Sequence, residues 1–534
     1  MNKRVCLIYP PLSVNEFPHL GLPLLKSYLY SHNINVEIKD FNAPIMSNII
    51  KSRFPRIEEY FQSKGINMPL SKIERDMAYS YEILADGEDR GKDERAFRLI
   101  NTYLKIAGSD ISEICFSPKS LKDIVNRYQR NDYELKPDRI EKYIKKTIIP
   151  YFSHGETEIV GISVPFGSQI YYALAIGRAL KKRYSHMRVF FGGAQISMFW
   201  RNIIENEVFR GAYDEMIPGN GEIAVLEYIK CIMSGGNLKD VPNLVYFNDG
   251  NAATKNENAS LVSIHDLPIP QFEGYDLSNY AYPKLPYFFT RGCYWGQCTF
   301  CSYRDVKGYS CKKSEKVVSD IRCLKEKYGV RHFHFIDDAV HPKIMEDIAL
   351  KIIAENMKIK YESYLRLDPG FTKAITEIMA KSGMRSALFG LESGNERILK
   401  EMNKGIHLDT AKKVLRNMKS AGIQSVVSCI IGFPGETREE AMDTVNYLLN
   451  TKDLYDQVFL VHYGLISDMY MDKEKYGIYD IDFSNPVRYD NSGFVAFGYP
   501  YKTKYGMEEW EAYELIKLAE KELRIKKFKD CFFS

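Results

Sequence analysis

Between residues 287 and 463 six short apolar runs alternate with five longer amphipathic ones. The runs YFFT (287–290), HFHFI (332–336), YESYLRL (361–367), SALFGLE (386–392), QSVVSCIIGF (424–433) and QVFLVHY (457–463) read as strands. Helical periodicity fills the intervals near 317–328, 344–355, 371–381, 408–421 and 438–449. Strands joined by helices run parallel, because a tight hairpin cannot connect them, and the helices then cover the sheet. Six such units predict a partial (β/α)6 barrel with its chemistry at the carboxyl ends of the strands.

The first half alternates as well. VCLIYP (5–10), NVEIKDF (35–41), EIVGISVPF (158–166) and MRVFFGG (187–193) read as strands. Helices are expected at 21–33, 170–184 and 223–233, with a helical turn near Trp200–Glu205. This is an α/β, Rossmann-like pattern, and such sheets bind ligands at their carboxyl edge. Three of those edges carry glycine and small polar residues: GISVPFGS, FGGAQIS and PGNGE. One glycine pair alone marks a turn; three such edges in one domain favour close backbone approach to a ligand. Between 43 and 150 the alternation gives way to charged, helix-patterned sequence, read as an insertion with a lid as one possible role. The domains expected are therefore 1–250 with that insertion, a Pro/Tyr-rich linker at 251–283, the barrel at 284–465, and a mainly helical extension at 466–534. A hairpin with the turn signal Asn248-Asp249-Gly250 closes the first domain.

Charge and hydropathy narrow the function class. Lys and Arg number 73 against 69 Asp and Glu, a net charge of +4, which gives no electrostatic argument for nucleic acid. No apolar run approaches the ~20 residues that span a bilayer. The opening MNKRVCLIYPPL breaks at Pro10-Pro11 and reads as a strand, not a signal peptide. The expectation is a cytoplasmic protein without membrane or nucleic-acid partners, whose ten cysteines stay reduced.

Three of those cysteines crowd together. Cys293, Cys298 and Cys301 form C-x4-C-x2-C directly after the first barrel strand. A structural zinc site takes four ligands, commonly from two paired arms, and no second C-x2-C arm exists. Three thiolates on one loop suit a 4Fe–4S cluster whose fourth iron stays open to a cosubstrate, with zinc as the structural alternative. Cys6, Cys115, Cys231, Cys311, Cys323, Cys429 and Cys531 are scattered and read as packing.

The stretch RGCYWGQCTFCSY resembles the cluster loop of radical S-adenosylmethionine enzymes, which usually space the cysteines C-x3-C-x2-C and place an aromatic before the last. Phe300 matches that aromatic; the extra residue departs from the pattern, and Gly296 offers a flexible point to absorb it. The resemblance implies that Asp337 and Asp338, in FHFIDDAV, lie near the amino end of S-adenosylmethionine. It implies that Glu392 and Ser393, in FGLESGNERILKEMNKG, lie near its ribose and methionyl groups. Ile431 and Gly432, in SCIIGFPGET, would hold adenine through backbone contacts, and Arg366, in YLRLD, would face the carboxylate or the substrate. Plainer readings stay open: the Asp337-Asp338 pair as a helix cap, and Glu392 paired with a lysine.

The first domain resembles the cobalamin-binding domain that precedes the barrel in one class of these enzymes. By that likeness Gly161, Ser163, Gly192, Gly193, Gln195, Ser197, Gly219, Gly221 and Glu222 cradle cobalamin. The D-x-H-x-x-G motif is absent, so the cofactor is expected base-off without a histidine ligand, and His19 and His154 read as packing or surface residues. Together the resemblances imply an enzyme that cleaves S-adenosylmethionine to a 5′-deoxyadenosyl radical, activates an unreactive C–H bond, and methylates that carbon from methylcobalamin. The substrate would be a small molecule, natural product or peptide, and the electron donor a flavodoxin or ferredoxin. Alternatives are cyclisation, oxidation or rearrangement with the same cofactors, and a cofactor-binding sensor without turnover. Tyr294-Trp295-Gly296 loosely resembles loops of peptide-modifying enzymes, or else shields the cluster from water.

Overall fold

The computed structural model describes residues 4–13, 16–86, 95–96, 99–100, 102–103, 106, 119–154, 157–248, 253–258, 260–301, 308–465, 472–488 and 497–523. The chain divides into two compact units. One comprises Met1–Ile73, Tyr103–Ala281 and Phe483–Gly498; the other comprises Glu74–Thr102, Tyr282–Asp482 and Tyr499–Ser534.

The first unit is built on seven strands: β1 (Arg4–Tyr9), β2 (Val36–Asp40), β3 (Thr157–Ser163), β4 (Arg188–Gly192), β5 (Glu215–Ile217), β6 (Val245–Phe247) and β7 (Ala253–Lys255). Their order is β2-β1-β3-β4-β5-β6-β7. β1 to β5 run parallel, while β6 and β7 return antiparallel. The order reverses between β1 and β3, which opens a crevice at their carboxyl ends. The central runs are apolar on both faces because helices cover both: Ile159, Val160 and Ile162 of β3 are buried. The helix after β4 spans Ala194–Glu205, longer than the expected turn at Trp200–Glu205. Gly193 makes that start possible: its φ is +99°, and a Cβ there would lie 2.7 Å from Val164 N.

Part of the insertion packs firmly on this unit. Helix Leu121–Gln129 carries Arg127, which donates to buried Glu141 (Nη2 to Oε2, 2.6 Å) and to the Tyr171 hydroxyl (2.9 Å) of helix Ile170–Arg183. Much of 87–118, including most of the expected helix AFRLINTYLKIAG, lies outside the described residues. The segment expected as a linker lies mostly within the first unit and is tied to β2. Tyr280 donates to the buried Asp40 carboxylate (2.7 Å), and Gly274 passes so close to Ile38 that a Cβ would come within 2.4 Å of its carbonyl. Burial pushes the Asp40 carboxyl up to about 6.

The second unit holds six parallel strands in near-sequence order, β15-β14-β13-β12-β11-β8. They are β8 (Lys284–Tyr287), β11 (His332–Phe335), β12 (Lys360–Leu365), β13 (Met384–Glu392), β14 (Gln424–Ile431) and β15 (Gln457–His462). The short pair β9 (Thr290–Arg291) and β10 (Ser310–Cys311) stands apart from them. Helices Ser314–Tyr328, Pro342–Ala354, Lys373–Ser382, Leu408–Ser420 and Arg438–Asn450 connect the strands. One sheet face packs on these helices: Tyr287 donates to Asp320 of the first (2.6 Å), and Tyr361 shares a hydrogen bond with Ser382 of the third (2.6 Å). The other face is polar. There Glu362 accepts from Lys284 (2.5 Å) and pairs with His334 Nδ1 (2.5 Å), whose Nε2 meets the Tyr364 hydroxyl at 3.2 Å.

The expected first barrel strand, 287–290, is corrected to 284–287. The cause is tertiary: Asp337 Oδ1 accepts the backbone N–H groups of Phe289 (2.9 Å) and Thr290 (2.6 Å), drawing the chain out of the ladder after Tyr287. The tail carries helix Glu509–Glu522, whose Ala512, Leu515 and Ile516 pack on Ile431 and Ala441. It also carries short antiparallel pairs, Ile478–Tyr479 with Lys502–Thr503 and Val487–Arg488 with Phe497–Gly498, which the periodicity of 466–534 does not signal. Among the described residues no helix is long and apolar enough to cross a membrane.

Candidate active site and ligand cleft

The cysteine loop leaves the carboxyl end of the barrel sheet and is zipped onto the turn Glu401–Gly405. Thr299 donates its N–H to Met402 O (3.0 Å) and its hydroxyl to Glu401 O (3.0 Å). Asn403 Nδ2 donates to Gln297 O (3.1 Å), and the Trp295 indole donates to Asn403 O (2.7 Å). Gly296 turns with φ +60°, and the Trp295 ring lies flush on Gly405, where a Cβ would come within 2.1 Å of it. Cys298 is buried, while Cys293 and Cys301 are half-buried.

Burial raises the Cys298 thiol above its ordinary value, and the positive charges of Lys404 and Arg366 offset part of that rise. Cationic surroundings favour thiolates and an anionic metal group. Among the described residues no three His, Cys, Asp or Glu side chains converge on a single ion position. Three thiols on one loop with two cations behind them fit a 4Fe–4S cluster.

Arg366, at the end of β12, is 6% exposed. Its Nη2 donates to Lys404 O (2.6 Å), and its guanidinium lies over Trp295 (4.8 Å) and Tyr294 (5.8 Å). Its Nε is buried and without a partner. A stacked guanidinium with one unused donor fits an anionic group arriving at the strand ends. Asp337 is committed to protein: Oδ1 takes three donors from Phe289 and Thr290, Oδ2 takes none, and burial pushes the carboxyl up to about 7. It thereby fixes the start of the cysteine loop. Asp338 is exposed beside it. Glu392 makes the lysine pair that the sequence left open, with Lys404 Nζ at 2.7 Å, and does so from a left-handed φ of +70°.

Ser393 is fully buried and faces Thr444 of helix Arg438–Asn450 (3.2 Å), so the structure does not bring its hydroxyl to the open strand ends. Phe300 packs against the apolar cluster that includes Ile398, Met402 and Phe433, with Lys404 Nζ 5.8 Å from its ring centroid. The Ile431 side chain points into the tail helix contact, and the Gly432 N–H donates to Glu436 Oε2 (2.7 Å). Glu436 is wholly buried; its Oε1 has no partner, and burial pushes the carboxyl up to about 8. Sequence reasoning missed Lys404, Gly405 and Glu436 as site-builders, and it offered Trp295 as a shield of the cluster but not as a brace of the loop. Lys404 and Gly405 fall in the MNKG run and Glu436 in GFPGET, but their partners are distant in sequence or fixed by the turn.

In the first unit a cleft of about 230 Å³ opens at the β1/β3 crevice. Gly161, Ser163, Gly192 and Gly193 line it, as do Gly219, Gly221 and Glu222. Gln195 does not: it is buried, and its Nε2 reaches Pro165 O at 3.4 Å. Ser197 does not either; its hydroxyl accepts the Gly219 N–H (2.8 Å) and donates to Gly193 O (3.0 Å), fastening two glycine turns together. The glycines differ in role. A Cβ on Gly161 would strike Phe190 at 2.4 Å, so that glycine serves sheet packing. Gly192 and Gly221 would admit one with nearest atoms at 3.5 and 3.6 Å, so their bare backbone leaves room in the cleft. The floor is apolar, with Leu7, Leu22, Ile217 and Val225. His19 also lines it, beyond the packing role expected, and the His154 side chain lies outside the described residues. A broad apolar cleft with a backbone rim fits a bulky cofactor bearing amide groups, as cobalamin does.

Residues 287–448 match the radical SAM superfamily. An uncharacterized methyltransferase of Pyrococcus horikoshii is 27% identical over 299 residues, covering 55% of this chain and 64% of that protein. An anaerobic magnesium-protoporphyrin IX monomethyl ester cyclase of Synechocystis is 24% identical over 280 residues, 51% of this chain and 55% of the cyclase. A cytidylyl-2-hydroxyethylphosphonate methyltransferase of Streptomyces wedmorensis is 26% identical over 207 residues, 34% and 38% of the two chains. The chain thus spans less than two thirds of the length of these curated relatives. Among solved structures, the cobalamin-dependent S-adenosylmethionine radical enzyme OxsB with aqua-cobalamin bound aligns with a TM-score of 0.52 at 17% identity, over 89% of this chain and 55% of that one. The radical S-adenosylmethionine methyltransferase TsrM of Kitasatospora setae, with cobalamin and a 4Fe–4S cluster bound, aligns at 0.55 and 15%, over 87% and 76%. At those identities the likeness speaks for the fold. Residues 287–448 thus match a radical SAM domain, and the chain has the fold of the two cobalamin-dependent enzymes with which it aligns.

Proposed function

We propose that the chain is a cobalamin-dependent radical S-adenosylmethionine methyltransferase acting on an unactivated carbon of a small molecule, natural product or peptide. The observation that carries this reading is the three-cysteine loop, braced by Glu401–Gly405 and backed by Arg366 and Lys404. Cys293, Cys298 and Cys301 would hold the 4Fe–4S cluster. The unused Nε of Arg366 would take an anionic group such as the S-adenosylmethionine carboxylate. The Gly432 N–H is committed to Glu436, so adenine recognition there falls to the remaining backbone groups. The glycine-edged cleft of the first unit would hold cobalamin. When bound, these groups supply the one-electron and methyl-carrying chemistry that no side chain can. The chain itself positions and shields: Phe300 and Trp295 cover the loop with aromatic surface, and Asp337 and Glu401–Gly405 set its path.

An external electron donor of the flavodoxin or ferredoxin kind and a cytoplasmic setting belong to the same reading. A second reading keeps both cofactors and ends in ring closure, oxidation or rearrangement; the similarity to a cyclase favours it. The deciding experiment is anaerobic reconstitution with cobalamin, CD3-labelled S-adenosylmethionine and a strong reductant, against candidate substrates encoded beside the gene. A product heavier by the labelled methyl, with S-adenosylhomocysteine, supports methyl transfer. Formation of 5′-deoxyadenosine with no labelled product supports the second reading, and cofactor binding without either makes the chain a sensor. Turnover surviving replacement of all three cysteines by alanine refutes the proposal.

A further inference from the structure

We infer that His19 enters the glycine-edged cleft as a hydrogen-bond donor through Nε2–H, holding the cobalamin bound there without ligating its cobalt. The inference rests on the cobalamin reading above and adds to it a residue and a bonding mode. Three contacts fix the ring. His19 Nδ1 accepts the Gly21 backbone N–H at 3.1 Å. Its plane stacks on Tyr9, centroids 5.6 Å apart and 13° between planes, and it meets Phe166 edge-on at 6.0 Å. Tyr9 is itself anchored through its hydroxyl to Ser13 (2.8 Å), whose N–H donates to Asn42 (2.8 Å).

The protonation state follows from those contacts. Burial holds the imidazole at about 4, so near neutral pH the ring carries one proton. A nitrogen that accepts an N–H cannot also bear that proton, which places it on Nε2. Both lone pairs that a metal would need are thereby withdrawn: one is engaged by Gly21, and the other is replaced by N–H. Among the described residues no hydrogen bond from Nε2 to a protein acceptor is formed, and the cleft that His19 lines carries Leu7, Leu22, Leu25 and Phe190 beside the polar Ser163, Asn220 and Glu222. A ligand seated in the cleft can supply the acceptor, as a neutral amide carbonyl or a phosphate oxygen. Cobalamin carries both at its periphery.

The test is equilibrium binding of cob(II)alamin to full-length wild type, His19→Ala and His19→Gln, with paramagnetic resonance of each complex. Losing one hydrogen bond is expected to weaken binding about tenfold in His19→Ala. The amide N–H of His19→Gln is expected to recover most of that loss. Cobinamide, which lacks the nucleotide tail, separates the acceptors: a loss shared by both ligands assigns a corrin amide, and a loss confined to cobalamin assigns the phosphate. Wild type grown with 15N-histidine is expected to show the same cobalt spectrum as unlabelled protein, and this arm needs no substitution. A nitrogen splitting that changes with the label, or equal affinities in wild type and His19→Ala, overturns the inference. Absence of cobalamin binding to wild type overturns the cofactor reading itself.

Discussion

Alanine at Gly405 is expected to unseat the cysteine loop, and the cost divides into two separable parts. The backbone there has φ +67°, and a Cβ would lie 2.1 Å from the Trp295 ring. A left-handed conformation costs a residue with a side chain about 1 kcal/mol relative to glycine. The ring must then leave, breaking the 2.7 Å bond from Nε1 to Asn403 O and the stack on Arg366. Those losses are worth about 1 kcal/mol and about 0.5–1 kcal/mol. Gly405→Ala is therefore expected to cost about 3 kcal/mol by denaturant unfolding of the apo-protein. On a Trp295→Ala background it should cost only the backbone share, about 1 kcal/mol, leaving a coupling near 2 kcal/mol in the double-mutant cycle. Iron bound after anaerobic reconstitution should fall in Gly405→Ala and in Trp295→Ala alike. Equal costs in both backgrounds would refute the argument, because the ring would then not be what the new methyl meets.

Glu436 gives a pH signature. Its carboxyl is pushed up to about 8, so the folded chain keeps a proton the unfolded chain releases near its ordinary value of about 4.3. The favourable contribution is complete below that lower value and is lost as pH rises through 8; Asp337 and Asp40, held near 7 and 6, act with the same sign. Melting temperatures of Glu436→Gln and wild type should diverge in the variant's favour from pH 6 to pH 9, and parallel curves would count against the buried carboxyl. Arg366→Lys removes the stack and the unpartnered Nε, and should weaken S-adenosylmethionine binding about tenfold or more by equilibrium dialysis, with the iron content little changed. Gly161→Ala should destabilise the first unit by about 1–3 kcal/mol through overlap with Phe190, seen in unfolding curves, whereas Gly192→Ala should leave stability nearly intact and weaken cobalamin binding.

Periodicity carried most strand positions to within a residue or two, because each strand is buried by helices whose own apolar faces repeat at helical spacing. It failed where one distant side chain decides. The first barrel strand ends at Tyr287 because Asp337 captures the next two amides. The roles of Glu392, Ser393 and Ser197 were likewise settled by partners 12, 51 and 22 residues away. The helix after β4 ran longer than its apolar pattern because Gly193 could turn where no side chain fits. The cysteine spacing was legible at once, since the chemistry of three thiols needs no tertiary knowledge. The brace beneath them was not, because Glu401–Gly405 acts mostly through backbone carbonyls, to which sequence gives no identity.

Among the described residues six strands do not close a ring, so β8 and β15 stand as margins of the sheet with hydrogen-bonding groups unmatched by a neighbouring described strand. β8 is only four residues long and contains Pro286, which offers no amide to a recruit. β15 is longer, and helix Glu509–Glu522 packs on it, with Tyr513 lying flat on His462 at 4.5 Å. That final helix thus doubles as a guard against self-association: severed ahead of Glu509, the unit would bare an adhesive rim on which a second molecule could add its own strand.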